Sequence, residues 1–242
     1  MDGQTLTCDL AGARGSNFTM RDRQTGSQWQ QATGEAFAGP LKGKRLTIVP
    51  FVITTWGEWR AQHPETLAMV LDPEYLVDYR NKRVSIDSLL FGNGISPGHP
   101  TERNPERGAL RYDPRLPPRE RVIGIEVAGG QKAYPVSQLR KQFALNDQVG
   151  STSVVVFHSA ASDTTTAFSR VVRGQTLTFQ SARPGTADIV DKETGSRWNA
   201  YGECIVGRLK GEKLDPIPPQ PSFWFSWAQF FPDTQVFAAR AD

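Results

Sequence analysis

The sequence predicts an α+β chain, predominantly β, in which two related hairpin-rich units pack together with a few short helices. Three observations predict it. The eight-residue phrase DRQTGSQW, starting at Asp22, returns as DKETGSRW at Asp191. The 22 Gly and 17 Pro cut the chain into short segments joined by turns. Hydrophobic residues make up 38%, which marks a globular chain rather than a disordered one.

The matching order extends well beyond the phrase. Gly3-Gln4-Thr5-Leu6-Thr7 matches Gly174-Gln175-Thr176-Leu177-Thr178, and Gly34-Glu35 matches Gly202-Glu203. Leu41-Lys42-Gly43 matches Leu209-Lys210-Gly211, Trp56 and Trp59 match Trp224 and Trp227, and Pro64 and Thr66 match Pro232 and Thr234. Order is kept and spacing slips by only a few residues, so the chain reads as carrying a duplicated unit.

Each unit opens on a strand, Thr5–Thr7 or Leu177–Phe179, with alternating faces. Asp-x-x-Thr-Gly-Ser is then a turn: the carboxylate accepts backbone N–H groups and the glycine takes positive φ. The tryptophan that follows, Trp29 or Trp198, starts the return strand. A second hairpin turns at Gly43 or Gly211. A short helix closes the unit. In the first copy Thr55-Trp56-Gly57-Glu58 fits a capping box, Trp56 and Trp59 share a face, and Pro64 marks the end. In the second copy Ser226 replaces Glu58, and aromatic residues crowd 223–231.

Between the copies, residues 66–71 read as a buried strand and 92–119 as an exposed Gly/Pro-rich connection. Arg121–Val127 reads as a strand, Gly129-Gly130 as a hairpin turn and Lys132–Tyr134 as the return. Val136, Leu139, Arg140 and Phe143 have helical spacing, and Ser153–Phe157 is an apolar strand. The division is 1–91 for a first repeat holding only the C-terminal part of the unit, 92–120 for the connection, and 121–242 for a more complete second repeat. Residues 121–173 have no counterpart ahead of the first copy, so the chain reads as beginning in mid-repeat. Close packing of the halves is expected, because the first copy alone lacks a partner for its apolar strands.

Composition excludes some functions. A net charge of +3 with scattered Lys and Arg is a weak footprint for nucleic acid, and no nucleic-acid partner is expected. No apolar run approaches the roughly 20 residues that span a bilayer. The opening MDGQTLTCDL shows no signal peptide. Cys8 and Cys204 are read as buried free thiols in strands, with a disulfide between them left open, and no cluster has zinc spacing. Asn17-Phe18-Thr19 is a glycosylation sequon by pattern only, placed on a hairpin strand. Gly94-Ile95-Ser96-Pro97-Gly98 matches the hydrolase Gly-x-Ser-x-Gly pattern, but Pro97 has no N–H to offer an oxyanion.

The phrases DRQTGSQW, GPLKGKRL, TTWGEWRAQHPET, DPRLPPRERVIGIEV, KAYP and FWFSWAQFFPDT, in this order, resemble the uncharacterised bacterial DUF3179 family over nearly the whole chain. The resemblance implies a mostly β, often exported protein, hence an extracytoplasmic location, and implies no known activity. Many similar proteins carry a Cys-Pro-Leu-Cys-like stretch after the apolar strand. Here that place reads Phe157-His158-Ser159-Ala160-Ala161-Ser162-Asp163-Thr164, with neither thiol. Paired-thiol redox or soft-metal chemistry is therefore not carried over.

Six residues remain as ligand candidates. His158 and Asp163 stand where an apolar strand runs into a polar loop. Asp22 and Asp191 are turn formers first and ligands second. Trp29 and Trp198 are core residues first and stacking platforms second. No catalytic, metal or cofactor-binding residue is assigned, and the cofactor and partner are unknown. Two readings follow: a non-catalytic extracytoplasmic module that binds a ligand or partner, or a redox or metal-dependent protein whose thiol-bearing half-repeat lies upstream of Met1.

Overall fold

The computed structural model describes residues 3–14, 17–70, 72, 113–159, 162–182 and 188–238. These residues form a predominantly β structure with three short helices, none long and apolar enough to cross a membrane.

The first unit is one antiparallel sheet and a helix. Strands β1 (Cys8–Arg14), β2 (Asn17–Asp22), β3 (Gln28–Gln30) and β4 (Ala36–Ala38) lie side by side in chain order, and α1 spans Trp56–Gln62. Thr55 caps α1 by accepting the Glu58 N–H at 3.3 Å. The reciprocal half of the box is displaced, because the Glu58 carboxylate accepts from the Thr54 hydroxyl instead.

The second unit is layered. Strands β5 (Arg121–Val127) and β6 (Gly130–Pro135) form a hairpin, followed by the single turn of α2 (Val136–Leu139). Next come β7 (Ala144–Val149), β8 (Thr152–Ser159) and β9 (Thr164–Ser169), a small ribbon of β10 (Val171–Val172) and β11 (Gln175–Thr176), then β12 (Phe179–Ser181), β13 (Ile189–Asp191), β14 (Arg197–Trp198) and β15 (Cys204–Val206). The chain ends with β16 (Pro216–Ile217), β17 (Gln220–Phe223), α3 (Trp224–Phe230) and β18 (Gln235–Val236).

Three four-stranded sheets result, in the orders β12-β13-β14-β15, β16-β9-β8-β7 and β17-β5-β6-β18. The period of two along β8 explains the stacking. Val154 and Val156 pack with Ile123, Ile125, Tyr134 and Leu145 on one side. Val155 and Phe157 pack with Phe179, Ile189 and Trp198 on the other. A strand buried on both faces reads as an unbroken apolar run, as 153–157 does. A third cluster joins Val122 and Ala133 to Trp224, Trp227 and Ala228 of α3.

Gly124 is what lets α3 lie so close: a Cβ there would stand 2.0 Å from Cζ3 of Trp227. The two strands that frame the β5–β6 hairpin come from either side of α3. β17 runs antiparallel to β5, and β18 runs parallel to β6.

Several local expectations are corrected. Residues 66–70 form no strand and are not buried; Leu67 is 94% exposed, Met69 87% and Val70 89%. The strand expected at Thr5–Thr7 begins later, at Cys8, and of the strand expected at Leu177–Phe179 only Phe179 lies in β12. Cys8 is exposed on an edge strand, whereas Cys204 is buried, and both are free thiols. The helix expected over 136–143 stops at Leu139: the Arg140 N–H still reaches the Val136 carbonyl at 3.0 Å, but the N–H groups of Lys141 and Gln142 return only three residues, to Gln138 and Leu139, and β7 begins at Ala144. The Gly94–Gly98 stretch and most of the 92–119 connection lie outside the described residues.

Candidate functional site

The two Asp turns are built alike, bond for bond. Asp22 accepts the Thr25 N–H at 2.6 Å and the Trp29 Nε1–H at 2.8 Å. Asp191 accepts the Thr194 N–H at 2.6 Å and the Trp198 Nε1–H at 2.9 Å. In each turn the Thr hydroxyl meets the Asp carboxylate and the Ser27 or Ser196 hydroxyl. That serine accepts the N–H of Leu41 or Leu209 from the next hairpin. The register slips at the same place in both sheets, between Gln28 and Trp29 and between Arg197 and Trp198.

Both carboxylates and both indoles are fully buried. Burial works against the charge on Asp22, but hydrogen bonds from Trp29, Thr25 and Ser27 outweigh it and hold the carboxyl below the usual carboxylate range. Their lone pairs are spent inside the turn. Each Asp is brought to its own Trp, in separate sheets, so these four candidates do not converge on one site.

His158 and Asp163 do come together, at the end of β8. His158 is buried, its Nδ1 is 2.9 Å from the Thr165 hydroxyl, and its Nε2 has no hydrogen-bond partner among the described residues. A carboxylate oxygen of Asp163 stands 3.9 Å from that Nε2. Asp163, with φ at +55°, is turned outward to Arg121 at 2.6 Å and Arg140 at 3.1 Å. Burial pushes the imidazole below its ordinary pKa; Asp163 pulls the other way, and Arg140 and Arg121 add to the depression. Burial raises the Asp163 carboxyl, but the two guanidinium groups outweigh it and hold the group low.

The order Asp163, His158, Thr165 contains the parts of an activated hydroxyl. Its geometry is that of a fixed neutral imidazole instead: the carboxylate is out of hydrogen-bond range and the hydroxyl is buried within β9. The adjoining polar residues tie the units together. The Thr164 hydroxyl reaches Thr54 at 2.9 Å and Glu58 at 3.3 Å. The Tyr201 hydroxyl is buried among Thr54, Gln62 and Glu58 without a well-formed hydrogen bond. An Arg45–Glu126 ion pair adds a second tie.

An open pocket of about 350 Å³ has Asn17, Gln31 and Phe51 on one wall and Trp227, Phe230 and Phe231 on the other. Val49, Phe51, Ile53, Trp56, Leu67 and Met69, at the start of α1 and in the segments that flank it, are all exposed.

A family model described as "Protein of unknown function (DUF3179)" matches residues 2–234. The chain belongs to the DUF3179 family. No curated protein and no solved structure gives a match. The sequence reading of this DUF3179 chain missed Thr54, Glu58, Arg121, Arg140 and Tyr201, which come from distant segments with no shared motif. The apolar strip did have a signal. Laid on the second copy, Leu67, Ala68 and Met69 match Gln235, Val236 and Phe237, a stretch that needs a strand beside it.

Proposed function

We propose that this protein is a non-catalytic, extracytoplasmic binding module made of two duplicated units, and that its first unit receives a protein partner on the apolar strip around α1. The observation that carries the reading is unequal burial at matched positions. Trp224 is fully buried, while Trp56, its counterpart, is 51% exposed. Several large apolar side chains exposed in one segment are what an interaction site offers. The extracytoplasmic location is supported by the family resemblance. Duplication is supported by the repeated phrase and by the shared bonding of the Asp22 and Asp191 turns.

A photo-reactive residue at Met69 tests the reading in the native cell, with one at the exposed Lys210 as control. The expected result is a discrete protein adduct from position 69 and none from 210. No adduct, or the same adducts from both positions, overturns it.

A further inference from the structure

We infer that the pocket between the two units binds an uncharged saccharide, received by the Ser226 hydroxyl and the Gln31 and Gln220 amides between the rings of Phe51 and Phe230. This ligand is separate from the protein partner proposed above.

The chemistry of the walls selects the class. The pocket holds about 350 Å³, at the lower end of the roughly 300–1,000 Å³ of small-ligand sites, which suits a mono- or disaccharide. Among the described residues its lining is made of apolar side chains, three amides and two hydroxyls, and no lining side chain is ionisable. A charged ligand entering there gives up water and gains no counter-charge. A wholly apolar ligand strips the amides and hydroxyls of water and returns no hydrogen bond. A sugar ring meets both conditions. Its hydroxyls pair with amides, which donate and accept, and its C–H face lies on an aromatic ring.

Ser226 is the anchor, and the first unit shows why. The two closing helices share a local frame. The Trp59 Nε1–H donates to Thr66 Oγ1 at 2.9 Å, as Trp227 does to Thr234 at 2.9 Å. His63 lies on Trp59 with centroids 4.2 Å apart at 33°, and Phe231 lies on Trp227 with the same values. Glu58 and Ser226 therefore hold the same place in α1 and α3. Glu58 is engaged there, accepting from the Thr54 hydroxyl at 3.0 Å and from Thr164 at 3.3 Å. Ser226 is 7% exposed, lines the pocket and makes no side-chain hydrogen bond among the described residues. The side-chain amides of Gln31 and Gln220 are likewise unengaged among the described residues. A buried hydroxyl that opens on a pocket instead of a protein group is fitted to a ligand's polar atom.

A peptide added as a strand is disfavoured at this place. The pocket side of the second unit includes Gln220–Ser222 of β17, an edge strand whose neighbour in the sheet is β5. Pro221 in that edge has no N–H to donate to an added strand.

The probes are maltose, cellobiose, lactose, mannobiose and chitobiose, each added to the full chain, with cellobiouronic acid and fully de-acetylated chitobiose as charged controls. Saturation-transfer NMR reads binding, and the side-chain NH2 signals of Gln31 and Gln220 read its place. At least one neutral disaccharide is expected to bind and shift both signals, with the charged controls about tenfold weaker or more. Ser226→Ala is expected to weaken that sugar about fivefold and Phe51→Ala about tenfold. Phe51 is 41% exposed, so its removal leaves the fold in place.

Four results overturn the proposal: no neutral disaccharide of the set binds; one binds but neither substitution weakens it; a charged control binds as tightly; or ring-proton contacts in the free protein place another segment of the chain between Phe51 and Phe230. The Met69 adduct tests the protein partner separately, so either reading can fail while the other stands.

Discussion

Replacing Asp191 with alanine separates a turn-forming carboxylate from a ligand-binding one. The carboxylate accepts the Thr194 N–H, the Thr194 hydroxyl and the Trp198 indole N–H, all at 2.6–2.9 Å, and the residue is 1% exposed. After the change the hydroxyl keeps Ser196 at 2.7 Å. The backbone N–H and the indole N–H keep nothing. One buried and one part-buried orphaned donor cost about 1–3 kcal/mol each at most, and relief from burying a carboxylate returns part of that. The expected net loss is about 2–4 kcal/mol. It is transmitted to the core, because Trp198 packs edge-on to Phe179 at 5.6 Å and Phe179 edge-on to Phe157 at 5.5 Å.

Asp191→Asn is the control for shape. It keeps one acceptor but turns an NH2 toward a donor, so it should still cost more than about 1 kcal/mol. Urea unfolding followed by circular dichroism and tryptophan fluorescence measures both variants. The same change at Asp22 breaks the same bonds, but Trp29 lies outside the three core clusters. There the expected effect is faster hydrogen exchange in β2 and β3, without a shift of the main transition. A loss below about 1 kcal/mol for Asp191→Ala, with an unchanged denaturant slope, refutes the argument and frees the carboxylate for a ligand.

Three further outcomes follow from the packing. His158 is held neutral, so below its ordinary pKa the unfolded chain binds a proton that the folded chain refuses; stability should fall as pH drops from 7 toward 5, by at most about 1.4 kcal/mol per pH unit. His158→Gln should flatten that slope in urea midpoints, and Asp163, whose carboxyl is held low, contributes only at more acidic pH; an unchanged slope refutes the assignment. Gly124→Ala drives a Cβ into the Trp227 ring, which Thr234 and Phe231 hold in place, and should cost about 2–3 kcal/mol by thermal unfolding; a neutral result means the helix moves freely off the sheet. Trp224→Ala should cost about 3–5 kcal/mol and Trp56→Ala less than about 1 kcal/mol in the free protein; equal losses would show that the first unit's strip is already covered.

What was legible in the sequence was what short-range chemistry decides. Asp-x-x-Thr-Gly-Ser-x-Trp closes a turn with bonds among its own eight residues, so both copies could be read directly. The β5–β6 hairpin and β8 were legible from period and turn residues. The failures came where a segment's state depends on what lies beside it. Residues 66–71 have the composition of a buried strand, and two of the matched residues, Gln235 and Val236, form one, but burial needs a neighbouring strand, and 66–70 have none among the described residues. The helix after Pro135 has the right spacing as far as Phe143, yet the chain tightens at Lys141 and Gln142 and enters β7 at Ala144, so it ends after one turn. The His158 cluster was half legible. Strand end and polar loop pointed to His158 and Asp163. Arg121, Arg140, Thr54 and Glu58 arrive from elsewhere in the chain, and only the assembled sheets bring them there.

The same distinction explains why α1 keeps the geometry of α3 although its flanks are exposed. The bonds that shape α1 and its flanks are local: Trp59 to Thr66, His63 to Trp59, Glu58 to Thr54 and Thr55. They form whether or not a hairpin lies underneath. What the hairpin adds around α3 is burial, and α1 carries more polar residues at the matched positions. Glu58, Arg60 and His63 stand where the second helix has Ser226, Ala228 and Phe231, so charge and hydration replace part of the contact. Glu58 is also tied to Thr164 in the second unit, which fixes the helix from its far side. The same local frame thus stands under two degrees of burial: around α3 the β5–β6 hairpin covers Trp224 and Trp227, and around α1 Ile53, Trp56 and Leu67 are exposed.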